Sequence, residues 1–421
     1  MTTQTLDAFH NYLKQISYRG VKPGLDRIKK AAEILGNPQE KYKIIHIAGT
    51  NGKGSVCSFL SHLLAVSGYS VGLILSPHVY DYRERIQVNR GPGERVTLIP
   101  EDELAALHED VVKRVPAALN LTYFEWGILL ALEYFYRRGV DFAVLETGLG
   151  GRWDATNICS SILSGITTID YDHTEYLGDT KEKILNEKLQ IIKNDSHFLF
   201  GPDDDSLVSL AKRHCQKQGA VFHATKEIKK CLLDADPRFT EKLAGAVGHI
   251  HSFISDNLLF ALCFGRILSE QGHHIDYNAL LNSYREVIPP ARLQIIRRSP
   301  DIIIDGAHNE HGLRALREYL VQNYNDDYDL VFGCLKNRSF LKLSEIVKSK
   351  NRNFWLVFDG EQRTTPLDIY KQVQQMQGGE IVGLDSAFRS RLAGARLNRP
   401  VVVCGSFYLC SQFKKWFESA H

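Results

Sequence analysis

IIHIAGTNGKGS, residues 44–55, decides how the chain is read. Ile44, Ile45, Ile47 and Ala48 predict a short buried strand. Gly49, Gly52 and Gly54 then break the apolar run, with Lys53 inside the break. Beyond it Val56, Leu60, Leu63 and Leu64 recur at helical spacing. Strand, glycine-rich turn with a lysine, helix: this is the plan of a phosphate cradle. Glycines let backbone N–H groups curl toward phosphate oxygens. The helix N-terminus adds partial positive charge and Lys53 a full one. Ser55 offers a hydroxyl for a magnesium ion. The strict Walker pattern asks for a hydroxyl residue directly after the lysine, and Gly54 stands there instead. Gly49-Thr50-Asn51 also lacks the second glycine of a G-x-G-x-x-G turn. The competing reading is a plain strand-to-helix turn with a surface lysine. Three glycines and a lysine after a clean strand weigh against it.

Working outward, 421 residues predict two or three domains, and 44% hydrophobic with 24% charged residues is ordinary for a soluble globular enzyme. A formal net charge of +2 marks neither a nucleic-acid nor a membrane partner. The eight cysteines form no C-x-x-C pair, so they read as reduced core residues rather than disulfides or a zinc site. The N-terminus has no signal-peptide pattern, and no segment has the length of a membrane span. The expected compartment is the cytoplasm.

Before the cradle, KPGLDRIKKAAEILGN (22–37) predicts an amphipathic helix with Pro23 in its first turn and Gly36 at its end. After it, VGLIL (71–75) is a second strand, and SPHVYDYRERIQVN (76–89) reads as a long functional loop without clean periodicity. Helices are expected over 101–115 and 125–138, with residues 121–125 lining a cleft. In VDFAVLETGLGGRWDATN (140–157) a buried strand ends in Glu146 and a second glycine turn that carries Arg152 and Asp154. Ligands in open α/β sheets bind outside the carboxyl ends of the strands, so Glu146 is placed to hold Mg²⁺ beside a phosphate site. SILSGITTID (161–170) is a further strand. His173 after it is either a metal ligand or a helix cap. Asp179 is the expected cap of the helix TKEKILNEKLQIIK (180–193). There Ile184, Lys188 and Ile192 are spaced by four, which puts Lys188 on an apolar stripe. That lysine either snorkels to solvent or has a chemical role, with a depressed pKa or a covalent modification.

HFLF (197–200) and VFHA (221–224) are strand-like, residues 226–242 read as a polar, turn-rich periphery, and 253–268 as an apolar helix carrying Asp256 and Asn257. VIPPARLQ (287–294) changes the rhythm, which places a domain boundary just after it. From 301 the βα alternation restarts: DIIID ends in Asp305, the turn Gly306-Ala307-His308-Asn309 follows, then a helix over 312–322 and strands in YDLVFG, NFWLVFDG and VVVCGS. The fold expected is α/β: a P-loop-type doubly wound sheet domain (1–294), then a smaller doubly wound α/β domain (295–421).

Taken together, HIAGTNGKGS, LSPHVYDYRERIQVN, TYFEWG, ETGLGGRWDATN, TIDYDHTEYLG, NEKLQIIK, PPARLQ, IIIDGAHNEHG, GCLKNR and CGSFYL occur in an order that resembles the folylpolyglutamate and dihydrofolate synthases of the Mur ligase superfamily, over essentially the whole chain. The resemblance implies ATP-dependent ligation of a carboxylate to L-glutamate through an acyl phosphate. It implies that Gly49, Thr50, Asn51, Gly52, Lys53, Gly54 and Ser55 hold the ATP phosphates, with Asn257, Arg292, Asp305 and His308 also contacting the nucleotide. Ser76 and Glu146 match one Mg²⁺ site, and His173 and Lys188 a second, where the matching lysine carries a carbamate. Lys53, Lys188 and His173 are the residues expected to carry catalysis. The D-A-T-N run is similar to members that accept dihydropteroate, with Phe124, Arg152, Asp154 and Ala155 lining the folate site.

The implied substrates are dihydropteroate, reduced folates and L-glutamate, acted on by a monomer with no nucleic-acid or membrane partner. Four positions depart from the pattern. Trp153 stands for a frequent leucine, Ile128 for a frequent threonine, and Phe253 and Ile254 for a histidine and a glutamine. Competing readings are a folylpolyglutamate synthase alone, another Mur-type ligase, or a nucleotide-binding switch. Only 43 residues precede Ile44, too few for the uridine-nucleotide domain of cell-wall ligases. A switch would need no Glu146, His173 and Lys188 together.

Overall fold

The structure is a computed structural model that describes residues 2–91, 96–235, 237–248, 252–335, 339–357, 365–394 and 399–419. Lys336, Asn337 and Arg338 of the GCLKNR motif, and 358–360 at the end of NFWLVFDG, lie outside them. The chain divides into two compact units, Met1–Ile288 and Pro289–His421.

The first unit is built on eight strands: β1 (Lys43–Ala48), β2 (Val71–Ile74), β3 (Ile86–Asn89), β4 (Thr97–Leu98), β5 (Phe142–Glu146), β6 (Leu163–Ile166), β7 (His197–Phe200) and β8 (Val221–Ala224). Their order is β4-β3-β2-β5-β1-β6-β7-β8, parallel except where β3 meets β2 and β4. The cradle strand β1 therefore lies inside the sheet, paired with β5 and β6. Only Lys43 of β1 is exposed, the continuous burial expected of a parallel strand covered on both faces. Two glycines let helices come close on opposite faces. A Cβ on Gly72 would lie 2.6 Å from the Phe135 ring of the helix Tyr123–Arg138, and one on Gly165 would lie 2.5 Å from the Phe264 ring of the helix Ser252–Glu270.

Four local expectations are corrected. Residues 86–89 form strand β3, because a turn over Tyr82–Arg85, closed by the reciprocal Asp81–Glu84 capping box, sends the chain back along β2. The helix Lys181–Lys188 is capped by Thr180, which accepts from the Lys183 amide, while Asp179 bonds the Lys183 ammonium. Residues 226–235 and 237–242 belong to the helices Thr225–Ala235 and Pro237–Gly248. The first-turn role given to Pro23 falls away, since that helix runs Asp26–Ile34.

The second unit holds β9 (Gln294–Arg297), β10 (Ile302–Asp305), β11 (Asp329–Phe332), β12 (Asn353–Leu356), β13 (Glu380–Val382) and β14 (Val401–Cys404), in the order β13-β12-β11-β14-β10-β9. Only β9 runs antiparallel to its neighbour. Ile303, Phe332, Trp355 and Val402 meet Leu313, Leu316, Phe340 and Tyr370 in its core. The units part before Pro289 rather than after Gln294. The Gly306 amide donates to Ala291 O and the Leu293 amide to the Asp305 carboxylate, which ties the segment 291–293 to the second sheet.

Candidate active site

The chain leaves β1 through Gly49, whose φ of 148° and packing both exclude a side chain: a Cβ would fall 1.9 Å from Thr167 Oγ1. Gly52, at φ 85°, starts the helix Lys53–Val66 with no side chain capping it, so the first turn keeps its positive end for an anion. The loop between is tied to the segment after β6. Thr50 Oγ1 donates to Asp170 O (3.1 Å) and accepts from the Asp170 amide (3.0 Å). The Asn51 amide donates to Thr168 Oγ1, and Thr167 Oγ1 donates to Asn51 O. Thr167 and Thr168, which motif reading passed over, thus brace the glycine loop; their signal is the Thr-Thr pair just after the neighbouring strand.

Lys53 Nζ turns back to donate to Gly49 O (3.0 Å) and Thr50 O (3.2 Å). Glu146, at the carboxyl end of β5, lies on the other side of the helix start. Its Oε2 accepts from the Ser76 amide (2.7 Å) and would lie 3.3 Å from a Cβ on Gly54. The glycine at 54, which breaks the Walker pattern, gives this carboxylate room that a Cβ would tighten by a few tenths of an ångström. Asn257 reaches the same loop, with Oδ1 only 2.3 Å from where a Gly52 Cβ would stand.

Lys188 does not snorkel. It is 4% exposed, and its Nζ donates to Gly49 O at 3.0 Å, so two lysines converge on one carbonyl. Burial, then the Lys53 charge, lowers its pKa to about 7, against which Asp172 and Asp154 act. This direction favours the neutral amine. His173 sits at the start of the short helix Thr174–Leu177 but makes no side-chain cap. Its Nε2 is 3.9 Å from Asp172 Oδ1, and its Nδ1 is 3.9 Å from Glu175 Oε1. Asp172, nearly buried, was not singled out by the sequence reading. Among the described residues no three His, Cys, Asp or Glu side chains converge. The expected donor sets instead rely on a serine, a lysine, one carboxylate and one imidazole.

The second glycine turn is held from inside by Asp154, which is buried. Its Oδ2 accepts from the Gly148 and Leu149 amides (2.8 Å each), and its Oδ1 from the Thr156 amide and hydroxyl. Burial raises its pKa and these bonds oppose the rise. Thr156 Oγ1, having donated to Asp154, accepts from Nε2 of the buried His46 (2.7 Å). Ala155 follows, also buried. Arg152 Nε bonds Glu187 Oε1 at 2.9 Å, next to Lys188. Phe124 packs on Gly148, where a Cβ would be 2.6 Å from its ring. Arg152, Asp154 and Ala155 thus lie on one turn, with Phe124 of the helix Tyr123–Arg138 packed against it, while Trp153 is 55% exposed.

In the second unit Arg292, His308 and Gly306 surround Phe407. The Arg292 guanidinium is 4.4 Å from the ring centroid, the His308 ring is 5.6 Å away, and a Gly306 Cβ would touch the ring. Asp305 is buried and accepts from the Leu293 and Ala307 amides. Burial raises its pKa and Arg292 opposes this. Phe407, inside CGSFYL, is the organising residue that the sequence reading did not single out.

The family models described as Mur ligase middle domain and Mur ligase, glutamate ligase domain match residues 47–281 and 291–407. The chain is 29% identical to the dihydrofolate synthase/folylpolyglutamate synthase of Bacillus subtilis (strain 168), over 94% of this chain and 95% of that one. It is 30% identical to the protein of the same description from Buchnera aphidicola subsp. Schizaphis graminum, over 97% and 96%. A bifunctional folylpolyglutamate synthase/dihydrofolate synthase solved with Mn, AMPPNP and L-glutamate is 25% identical and superposes with a TM-score of 0.79 over 99% of this chain and all of that one. Mycobacterium tuberculosis folylpolyglutamate synthase complexed with ADP, 21% identical, shares the fold at a TM-score of 0.82 over 99% of both chains. With two family models covering both units and a full-length relative at 30% identity, the chain belongs to the Mur ligases and, within them, to the dihydrofolate synthase/folylpolyglutamate synthase family.

Proposed function

We propose that this protein joins the amine of L-glutamate to the carboxylate of dihydropteroate, and to that of reduced folates, at the expense of ATP. The carboxylate attacks the γ-phosphorus and ADP leaves. The glutamate amine then attacks the acyl carbon, phosphate leaves, and the amine proton is lost. The observation that carries the reading is the buried Lys188 on Gly49 O, directly behind the loop that Lys53 and Glu146 flank. A structural lysine would not be kept there at the cost of desolvation. A neutral amine can add CO₂ and release a proton, becoming an anionic carbamate.

The loop's helix start and Lys53 bind and orient the triphosphate. Ser76 and Glu146 would hold one Mg²⁺, and His173 with the carbamate of Lys188 a second. When bound, these ions would supply charge neutralisation at the transferred phosphoryl group. Asn257, Arg292, Asp305 and His308 are assigned to the nucleotide, and Phe124, Arg152, Asp154 and Ala155 to the folate. Lys53, Lys188 and His173 are the catalytic assignments. No helix among the described residues is long and apolar enough to cross a membrane, and the reading is of a cytoplasmic monomer.

The test is product analysis with dihydropteroate, dihydrofolate and tetrahydrofolate offered separately. ATP consumption should require both a pteroyl substrate and L-glutamate. Hydrolysis indifferent to both would overturn the reading in favour of a switch, and product from tetrahydrofolate alone would reduce it to a folylpolyglutamate synthase.

A further inference from the structure

Between the turn over Tyr82–Arg85 and the helix Tyr123–Arg138 lies a narrow pocket lined by Leu75, Tyr82, Arg85, Tyr123, Phe124 and Gly127. It has space for little more than a water molecule. Leu75 adjoins Ser76, whose amide holds Glu146, and Phe124 packs on the Gly148 turn. The pocket thus runs between the two halves of the candidate site.

Two of its polar groups bear on this: one makes no hydrogen bond and the other meets no carboxylate. Tyr82 is 7% exposed, and its hydroxyl makes no hydrogen bond. The ring is fixed by edge contacts with Phe9 (5.0 Å) and Tyr123 (5.9 Å). The hydroxyl lies over Gly127, where a Cβ would come within 2.6 Å of it, so the glycine ending TYFEWG makes room for it. Burial pushes the phenol's pKa up, so the hydroxyl stays a proton donor. An orphaned buried hydroxyl is costly and calls for a ligand.

Arg85 is the second group. Its Nε donates to His78 Nδ1 (2.7 Å), and its guanidinium stands over the Tyr82 and Tyr123 rings, 5.8 and 5.7 Å from their centroids. Every other charge of the segment is paired within the chain: Arg83 with Asp81 and Glu101, and Glu84 with the amides of Val79, Tyr80 and Asp81. Among the described residues Arg85 meets no carboxylate. A guanidinium and a buried hydroxyl around a space too small for a ring, walled by aromatic side chains, fit one oxygen of a group carried by an aromatic ring.

We propose that the Arg85 guanidinium and the Tyr82 hydroxyl grip the aromatic carboxylate of the acceptor substrate, with its ring lying against Tyr123 and Phe124 at the pocket mouth. This rests on the reading of dihydropteroate as an acceptor. In a folate the same carbonyl is an uncharged amide. Arg85 thus discriminates the first glutamate addition from later ones.

The test is a cycle of ligand against variant, using the full chain with a non-hydrolysable ATP analogue and Mg²⁺. Dihydropteroate and its decarboxylated analogue are titrated by calorimetry into wild type, Arg85→Met and Tyr82→Phe. Arg85→Met should weaken dihydropteroate about 10- to 100-fold while leaving the decarboxylated analogue within about twofold. In turnover the loss should fall on KM for dihydropteroate, with KM for ATP unchanged and KM for tetrahydrofolate little affected.

Tyr82→Phe guards against a folding artefact. It removes only an unpartnered hydroxyl, so its Tm should hold or rise, while dihydropteroate binding weakens several-fold. Equal losses on both ligands, or no loss on either, would overturn the proposal. So would a Tyr82→Phe protein that is destabilised yet binds normally. Wild type failing to bind dihydropteroate at all would refute the proposed function instead, which is a different outcome from variants that match a binding wild type.

Discussion

Replacing Lys188 by methionine should make the protein more stable and inactive at the same time. The side chain is 4% exposed and lies with Ile184, Leu185 and Leu189 on its helix, so an apolar chain of similar length fits. The bond it loses is to Gly49 O, which still accepts from Lys53 Nζ at 3.0 Å, so no carbonyl is orphaned. What the variant gains is release from holding an ammonium whose pKa falls from 10.5 to about 7. At 1.36 kcal/mol per pH unit that interval amounts to about 5 kcal/mol as a ceiling.

The sign follows from proton counts. Between pH 7 and 10.5 the unfolded chain binds more protons at this position than the native state, so wild-type stability relative to the variant rises with pH across that window. Below about pH 7 the full penalty applies. Urea unfolding of both proteins from pH 6 to 10 in CO₂-free buffer should show the methionine variant ahead by a few kcal/mol at pH 6–7, with the gap closing toward pH 10. In bicarbonate the gap should narrow already at pH 7, because the carbamate carries no ammonium. Ligase activity should be lost in either buffer. A variant less stable than wild type at pH 7, a gap that ignores pH, or full activity would each refute the reasoning.

Glu146→Gln keeps an oxygen for the Ser76 amide and removes only the charge beside Gly54. Turnover should fall about 10²- to 10³-fold with little change in Tm, and a Mg²⁺ titration that matches wild type would remove Glu146 from the metal site. Gly52→Ala puts a Cβ 2.3 Å from Asn257 Oδ1 on a residue at φ 85°. The backbone cost alone is about 1–2 kcal/mol. KM for ATP should rise, and adding Asn257→Ala should recover only the steric part; complete recovery in unfolding experiments would contradict the backbone argument. Asp154→Asn turns one of two acceptor oxygens, each serving two donors, into a donor. Stability should drop by about 1–3 kcal/mol, and dihydrofolate formation should suffer more than glutamate addition to a folate. Equal losses in product assays would leave Asp154 as a turn residue without a pterin contact.

The sequence alone determined the βα alternation, the second α/β unit and the two glycine turns. Each of these is written in neighbouring residues: continuous apolar runs for strands buried on both faces, and Gly49 and Gly52 where the backbone must turn with no room for a side chain. Local signals misled where they competed at short range, as when Thr180 rather than Asp179 capped a helix, and when the mixed composition of 86–89 concealed an antiparallel strand. Tertiary structure decided whether Lys188 snorkels, because its partner Gly49 lies 139 residues away. It also decided how close Glu146 comes to Gly54, what Phe407 gathers, and where the Tyr82 hydroxyl is left without a partner and Arg85 without a carboxylate. The physical reason is that desolvation and the presence or absence of a hydrogen-bond partner belong to the space between elements, and spacing along the chain carries no record of it.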